Sequence, residues 1–349
     1  ETAEEKLSFL ASHPMRALDF DEVQPDKTHN WVNLTSNDFE TLMPLASKET
    51  KAAKTAGKER AIFKLFSLGV VTARDDWVFD YDPAHLATKA NFLIDAYNRD
   101  MHRLAEMRGS SKLDEMLTSS IKWTRAVKND LRRGVKYEYD PRYIVEAAYR
   151  PFTKANLYFD KHLNEMQYQL AHMFRGEPNP TIAFLCVSSS NPLAAMALNQ
   201  VFDYCLLKMG NGGTQAVSRW VHDSAGNRQD NITDWALKQF TAHYKPPVRP
   251  EPVEGLEGVG GVAEASTGSA RTVTGTAKGV GVGAAKPKKI TKQAIFHYCY
   301  AVLHDPVYRE KYAQNLKRDF PRIPLYGTSP ADFWQWAAWG EALMALHIG

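Results

Sequence analysis

Hydrophobic positions fall in short, strand-like runs through the middle of the chain and at helical spacing towards its end. AIFKLFSLGVVT, from residue 61, is rich in β-branched and aromatic residues, and DWVFDYD follows a polar break, so two strands around a tight turn are expected. DPAHLATKANFLIDAYNRDMHRLAEM (82–107) predicts a long helix opened by Asp82-Pro83, and a second helix is predicted over 113–133, ending at Gly134. Strand-like segments recur at YRPF (149–152), NLYFD (156–160), TIAFLCVSS (181–189) and, more weakly, VFDYCLL (201–207). Helices resume at 233–243 and dominate from 290 onward. There, IFHYCYAVLHDPVYREKYAQNLKRDFPRIPLY (295–326) reads as two amphipathic helices meeting at Asp305-Pro306, an N-cap followed by a proline suited to a first helical turn.

These elements predict an α+β fold. A domain of mixed strands and long helices is expected over 46–247, and a C-terminal helical region over 290–349 packing back on it. Residues 1–45 read as a connector with a short helical start. Residues 248–289 read as a disordered low-complexity insertion. From position 250, PEPVEGLEGVGGVAEASTGSARTVTGTAKGVGVGAAKPKK holds no aromatic residue and little apolar surface to offset its ordering entropy. Its GVGVGAAK lacks the strand, the helix and the Gly-Lys-Ser/Thr ending of a phosphate loop. The tryptophans of DFWQWAAWGEALMALH (332–347) wrap one helix, which predicts core packing rather than base stacking.

Composition adds bounds. The 349 residues are 44% hydrophobic and 24% charged, ordinary for a globular chain. Cys186, Cys205 and Cys299 lie far apart without metal-ligand spacing, so reduced thiols are expected. No apolar run reaches the length of a membrane span, and the start lacks the pattern of a signal peptide, so a cytoplasmic location is expected. Net charge is only +3, yet Lys122, Arg125, Lys128, Arg132, Arg133 and Lys136 crowd one segment, opposed there only by Asp130. They form either a solvated helix face or a stripe that tracks phosphates. His29, His222 and His243 have no partners at metal spacing, and no metal site is expected.

Several strings carry a resemblance. NWVNLTSNDFETLMPLASKET (30–50), AIFKLFSLGVVTARDDWVFDYD (61–82), IKWTRAVKNDLRRG (121–134), AAYRPFTKANLYFDKHLNEM (147–166), DNITDWALKQFTAHY (230–244), DFWQWAAWGEALMALHIG (332–349) and the helical pair at 295–326 occur in one order. Together they closely resemble the C-terminal specificity region of Type ISP restriction–modification enzymes. Those are large single chains combining nuclease, translocase, adenine methyltransferase and target recognition. The resemblance implies sequence-specific recognition of double-stranded DNA, with the methyltransferase domain of the same polypeptide or a companion chain as partner. A module that docks the catalytic parts of such a complex is the alternative.

The catalytic motifs are missing from this sequence. Asn179-Pro180-Thr181 and Asn191-Pro192-Leu193 hold only the first half of the Asn/Asp-Pro-Pro-Tyr/Phe motif that grips a flipped adenine. No Walker loop occurs, and Glu4-Glu5-Lys6 lacks the strand and acidic partner of a nuclease motif. No catalytic residue and no cofactor is therefore expected here; S-adenosylmethionine, ATP and Mg are expected only for the catalytic domains absent from this chain.

GVVTARDDW (69–77) resembles the Gly-x-x-Thr-x-Arg/Asn-Asp segment of target-recognition domains attached to such methyltransferases. A strand there delivers Thr72, Arg74 and Asp75 to a polar turn as candidate base readers. Arg74 has the fork for guanine O6/N7 or for a phosphate, Thr72 suits a thymine methyl or a phosphate, and Asp75 accepts from cytosine or orients Arg74. In the plain alternative, Arg74 and Asp75 pair with neighbours in a surface hairpin. Lys122, Arg125, Arg132, Arg133 and Lys136 are candidate phosphate contacts. Arg150 and Lys154, among the aromatics of 147–163, and Ser188, Ser189 and Ser190 join them.

Overall fold

A computed structural model describes residues 2–26, 29–32, 35–187, 192–207, 213–245 and 288–348. The first helix, α1 (Ala3–Ser12), starts with a reciprocal capping box between Thr2 and Glu5. β1 (Met43–Pro44), α2 (Lys48–Ala52), β2 (Ser67–Leu68), α3 (Asp75–Val78), β3 (Phe79–Asp80) and the long α4 (Pro83–Arg103) follow. Next come α5 (Arg125–Arg133), β4 (Ile144–Arg150), β5 (Thr153–Tyr158), α6 (Leu170–Met173), β6 (Thr181–Leu185) and β7 (Ala194–Leu198). Then come β8 (Val201–Phe202), β9 (Gln215–Ser218), β10 (Trp220–His222), β11 (Arg228–Asp230) and α7 (Asp234–His243). The described elements end with α8 (Lys292–His304), α9 (Pro306–Lys311), α10 (Ala313–Leu316), β12 (Arg322–Ile323) and α11 (Pro330–Ile348). The fold is α+β.

Two four-stranded sheets organise it, in the orders β2-β9-β6-β7 and β3-β5-β4-β8. The first is antiparallel throughout, whereas β4 and β8 run parallel. Side-chain alternation splits the first sheet between two cores. Ala183, Met196, Leu198 and Ala216 face a core built with α4, α5 and the second sheet. Ile182, Phe184, Ala197 and Val217 face a core built with α7, α8 and α11. All of β6 is buried, which is why TIAFL reads as a continuous apolar run.

Local chemistry explains the helix starts. The Asp82 side chain accepts from the Ala84 N–H at 2.8 Å with Pro83 in the first turn, and Asp305 does the same for Val307 at 3.0 Å with Pro306. Gly134 ends α5 in the left-handed conformation, φ 71°. α8 is buried from Ala294 to Leu303 because it lies between the first sheet and α11.

Several expected elements differ. The helix expected over 113–133 is one 3₁₀ turn, Leu113–Met116, and the separate α5. Between them the Ser/Thr run takes other partners than a helix: Thr118 N–H donates to Asp100 of α4 at 2.7 Å and Ser120 N–H to the nearby Thr118 hydroxyl at 3.3 Å. Of 61–82 only Ser67–Leu68 and Phe79–Asp80 are strand, and Asp75–Val78 forms a helical turn. The second helix of the C-terminal pair breaks at Tyr312 into α9 and α10. β7, AAMAL, went unforeseen because its residues favour helix; pairing with β6 from Ala194 to Leu198 imposes the strand. Phe39 and Leu45, from the expected connector, are fully buried in the second core, and Met43 pairs with Ile323. Trp334 and Trp336 pack against that core while Trp339 stands 53% exposed. The expected insertion lies outside the described residues apart from its last two positions, 288 and 289.

Candidate nucleic-acid interface

The turn at 72–76 is built on strain. Val71 bridges Met166, then Ala73 takes φ 55°, a left-handed conformation unfavourable to a residue with a Cβ. The reversal sends Arg74 inward, not outward. Its residue exposure is 1%, and Nη2 donates to the hydroxyl of Thr124, the N-cap of α5. Nε and Nη1 find no hydrogen-bond acceptor among the described residues. Burial pulls the Arg74 pKa down to about 10, opposed by Tyr137 and Glu165. Thr72 is buried too; its hydroxyl bonds the Asp75 carboxylate and accepts the Arg74 N–H at 3.2 Å. The Tyr149 hydroxyl donates to the other Asp75 oxygen at 3.1 Å. The expectation of a surface-presented base reader is corrected on this point. Thr72, Arg74 and Asp75 hold one another and their neighbours, and the outward residues of the turn are Ala73 and Asp76.

On α5, Val127 and Leu131 face the core, leaving Arg125, Arg132 and Arg133 outside. Acids distant in sequence close most of the stripe. Asp114 pairs with Lys128 at 3.4 Å and Arg132 at 3.0 Å, and Glu165 with Arg125 at 3.4 Å. Arg133 pairs with Asp130, and Lys136 with Glu138 at 3.5 Å. Exposed Lys122 has no acidic partner among the described residues. Asp130 is a buried hub that also accepts from the Tyr137 hydroxyl at 3.0 Å and meets His162 Nδ1 at 2.7 Å. Burial pushes its carboxyl pKa up, but the bonds from His162, Tyr137 and Arg133 outweigh burial and hold it below the ordinary value.

Arg150 is anchored rather than free. Nη1 bonds Asp203 at 2.7 Å and the Tyr149 carbonyl at 2.6 Å, and the guanidinium lies 3.9 Å from the Tyr149 ring centre. Burial lifts the Asp203 pKa to about 6 despite the Cys205 N–H and Arg150. Lys154 pairs with Glu146 at 3.0 Å on the hairpin surface. Ser188, Ser189 and Ser190 lie outside the described residues. A second basic run, Lys48, Lys51, Lys54, Lys58 and Arg60, is exposed, and sequence analysis left it unmarked. Its near-regular spacing in KETKAAKTAGKER was the available signal. Among the described residues no group of acids, histidines and cysteines is arranged to hold a metal ion, and no helix is long and apolar enough to cross a membrane.

Comparison with solved structures extends from one end of the chain to the other. The cryo-electron microscopy structure of a DrdV–DNA complex matches with 37% identity and TM-score 0.75, covering 99% of this chain and 29% of that one. A nuclease-deletion mutant of the Type ISP restriction–modification enzyme LlaGI, in complex with a DNA substrate mimic, matches at 22% identity and TM-score 0.70. That match covers 99% of this chain and 27% of the other. The ATP-dependent Type ISP enzyme LlaBIII bound to DNA matches at 18% identity and TM-score 0.66, covering 93% and 18%. The last two likenesses are of fold alone. This chain thus spans less than a third of the length of each. No curated protein matches. The family model of the Type ISP C-terminal specificity domain matches residues 61–349, and with the DrdV likeness it settles membership: this chain belongs to the Type ISP C-terminal specificity domain family.

Proposed function

We propose that this chain recognises a double-stranded DNA sequence, as the specificity part of a cytoplasmic Type ISP restriction–modification enzyme. One observation carries the reading: the likeness at 37% identity over 99% of the chain is to a protein solved with DNA. On this reading the chain is not itself an enzyme. Methyl transfer, translocation and cleavage, with S-adenosylmethionine, ATP and Mg, belong to parts of the enzyme outside this chain.

Phosphate contacts are assigned to Lys122, Arg125, Arg132, Arg133, Lys136 and Lys154. An exposed ion pair contributes about 0–1 kcal/mol, so Arg132, Lys136 and Lys154 exchange their exposed acids for a phosphate at small cost, and Lys122 has no acid to give up. Arg150, held by Asp203 and Tyr149, keeps the hairpin end in place beside the 72–76 turn.

The test is selection of bound duplexes from a random library, followed by binding measurements at several salt concentrations. One preferred sequence and a steep fall of affinity with salt are expected. A module that only docks protein partners gives neither, and that result rejects DNA recognition. Methyl transfer from S-adenosylmethionine by the isolated chain would reject the non-catalytic part of the reading.

A further inference from the structure

The basic run at 48–60 differs from α5 in one physical respect: among the described residues its cations form no salt bridge. Lys48, Lys51, Lys54, Lys58 and Arg60 are exposed, while its acids are Glu49 and Glu59, and Glu59 is buried against Lys64 at 3.4 Å. Among the described residues Lys48, Lys51, Lys54 and Lys58 pair with no carboxylate. Exposed cations outside salt bridges gather the most from meeting a polyanion, because no ion pair is given up.

Lys48 and Lys51 lie one turn apart on α2 and line an open groove of about 520 Å³. Tyr168, Gln169, Val187 and Gln215 line it too, as do Arg318 and Asp319, whose charges cancel. Gln169 is fixed by its backbone, whose N–H donates to the Ser67 hydroxyl at 3.0 Å, and Gln215 by its place in β9 opposite Leu68. Neither side-chain amide makes a hydrogen bond among the described residues. An amide presents a donor and an acceptor side by side, the pattern that matches adenine N6 and N7 in the major groove. The groove also holds two of the five described non-glycine residues with positive φ, Tyr168 at 48° and Val187 at 55°. For a β-branched residue this conformation is an outlier, and such strain collects at functional sites.

We propose that this groove and the lysine run beside it form a double-stranded DNA contact surface. Lys48, Lys51, Lys54 and Lys58 take phosphates, and Gln169 and Gln215 face base edges. The inference rests on the reading of the chain as a DNA-recognition domain and names a surface for it. Lys51 also donates to the Phe66 carbonyl at 3.2 Å, so the test leaves it in place.

Duplex binding by the full chain is measured by fluorescence anisotropy between 50 and 200 mM salt, a range of roughly the size in which counterion release dominates. Lys48→Gln, Lys54→Gln and Lys58→Gln are each expected to lower the log–log salt slope by about 0.9, and the triple variant by about 2.7. Gln169→Ala and Gln215→Ala are expected to leave the slope alone and broaden the sequence selected from a random library. A triple variant with unaltered circular dichroism and unaltered slope overturns the inference while DNA recognition stands. Such a result, with loss of binding to an acidic polypeptide, assigns the lysines to a protein partner instead. An unchanged selected sequence in both glutamine variants also overturns it. If the unaltered chain binds no duplex, the underlying reading fails and the inference with it.

Discussion

Arg74 carries two nitrogens of its guanidinium, Nε and Nη1, into a buried site where they find no acceptor among the described residues, and only Nη2 is bonded, to Thr124. A buried unsatisfied donor costs about 1–3 kcal/mol. The stem still fills space between the 72–76 turn and the start of α5. Arg74→Met keeps the stem and removes the charge and the unpaired donors. Urea unfolding of this variant is expected to show stability unchanged or raised by about 1–3 kcal/mol, with the same selected DNA sequence. A marked loss of stability would mean that the charge itself holds the turn. Relaxed choice at one base pair would mean that Arg74 leaves its site to read DNA.

Among the elements, the contact of α8 with α11 turns on one glycine. A Cβ built on Gly340 would overlap the His297 carbonyl oxygen, an atom of the α8 backbone that no side-chain rotation can move. Two effects oppose each other in Gly340→Ala. Alanine favours helix over glycine by about 1 kcal/mol, whereas overpacking a close helix contact costs about 1–3 kcal/mol. The contact is with backbone, so overpacking wins and the urea midpoint is expected to fall. A rise in the midpoint would show that the helices stand further apart than this contact requires.

At the scale of the whole molecule, the second core draws on three distant stretches of chain. Phe63 meets Phe296 at 6.0 Å, Phe240 meets Tyr298 at 5.3 Å, and the hydroxyls of Tyr244 and Tyr298 lie 3.1 Å apart. The helices of 292–348 therefore complete a core that the preceding residues cannot close. Cleavage at a protease site placed within 246–287 is expected to leave two pieces that co-elute under native conditions. Recovery of two separate, folded pieces would contradict a shared core.

Features governed by neighbours within a few residues were legible in the sequence. Asp82-Pro83 and Asp305-Pro306 start helices, Gly134 stops one, and TIAFL forms a strand, because caps, turns and apolar runs act locally. The ordered strings also identified the family, since their resemblance depends on residue order alone. Tertiary structure decided the rest. Arg74 sits in a polar string that reads as a surface turn, and only the left-handed Ala73 and the arrival of Thr124, fifty residues on, put it inside. The α5 cations read as a free stripe until Asp114 and Glu165 fold against them. AAMAL becomes a strand because β6 offers it a ladder. Charge, exposure and pairing depend on which surfaces meet, and that is settled by packing between segments far apart along the chain.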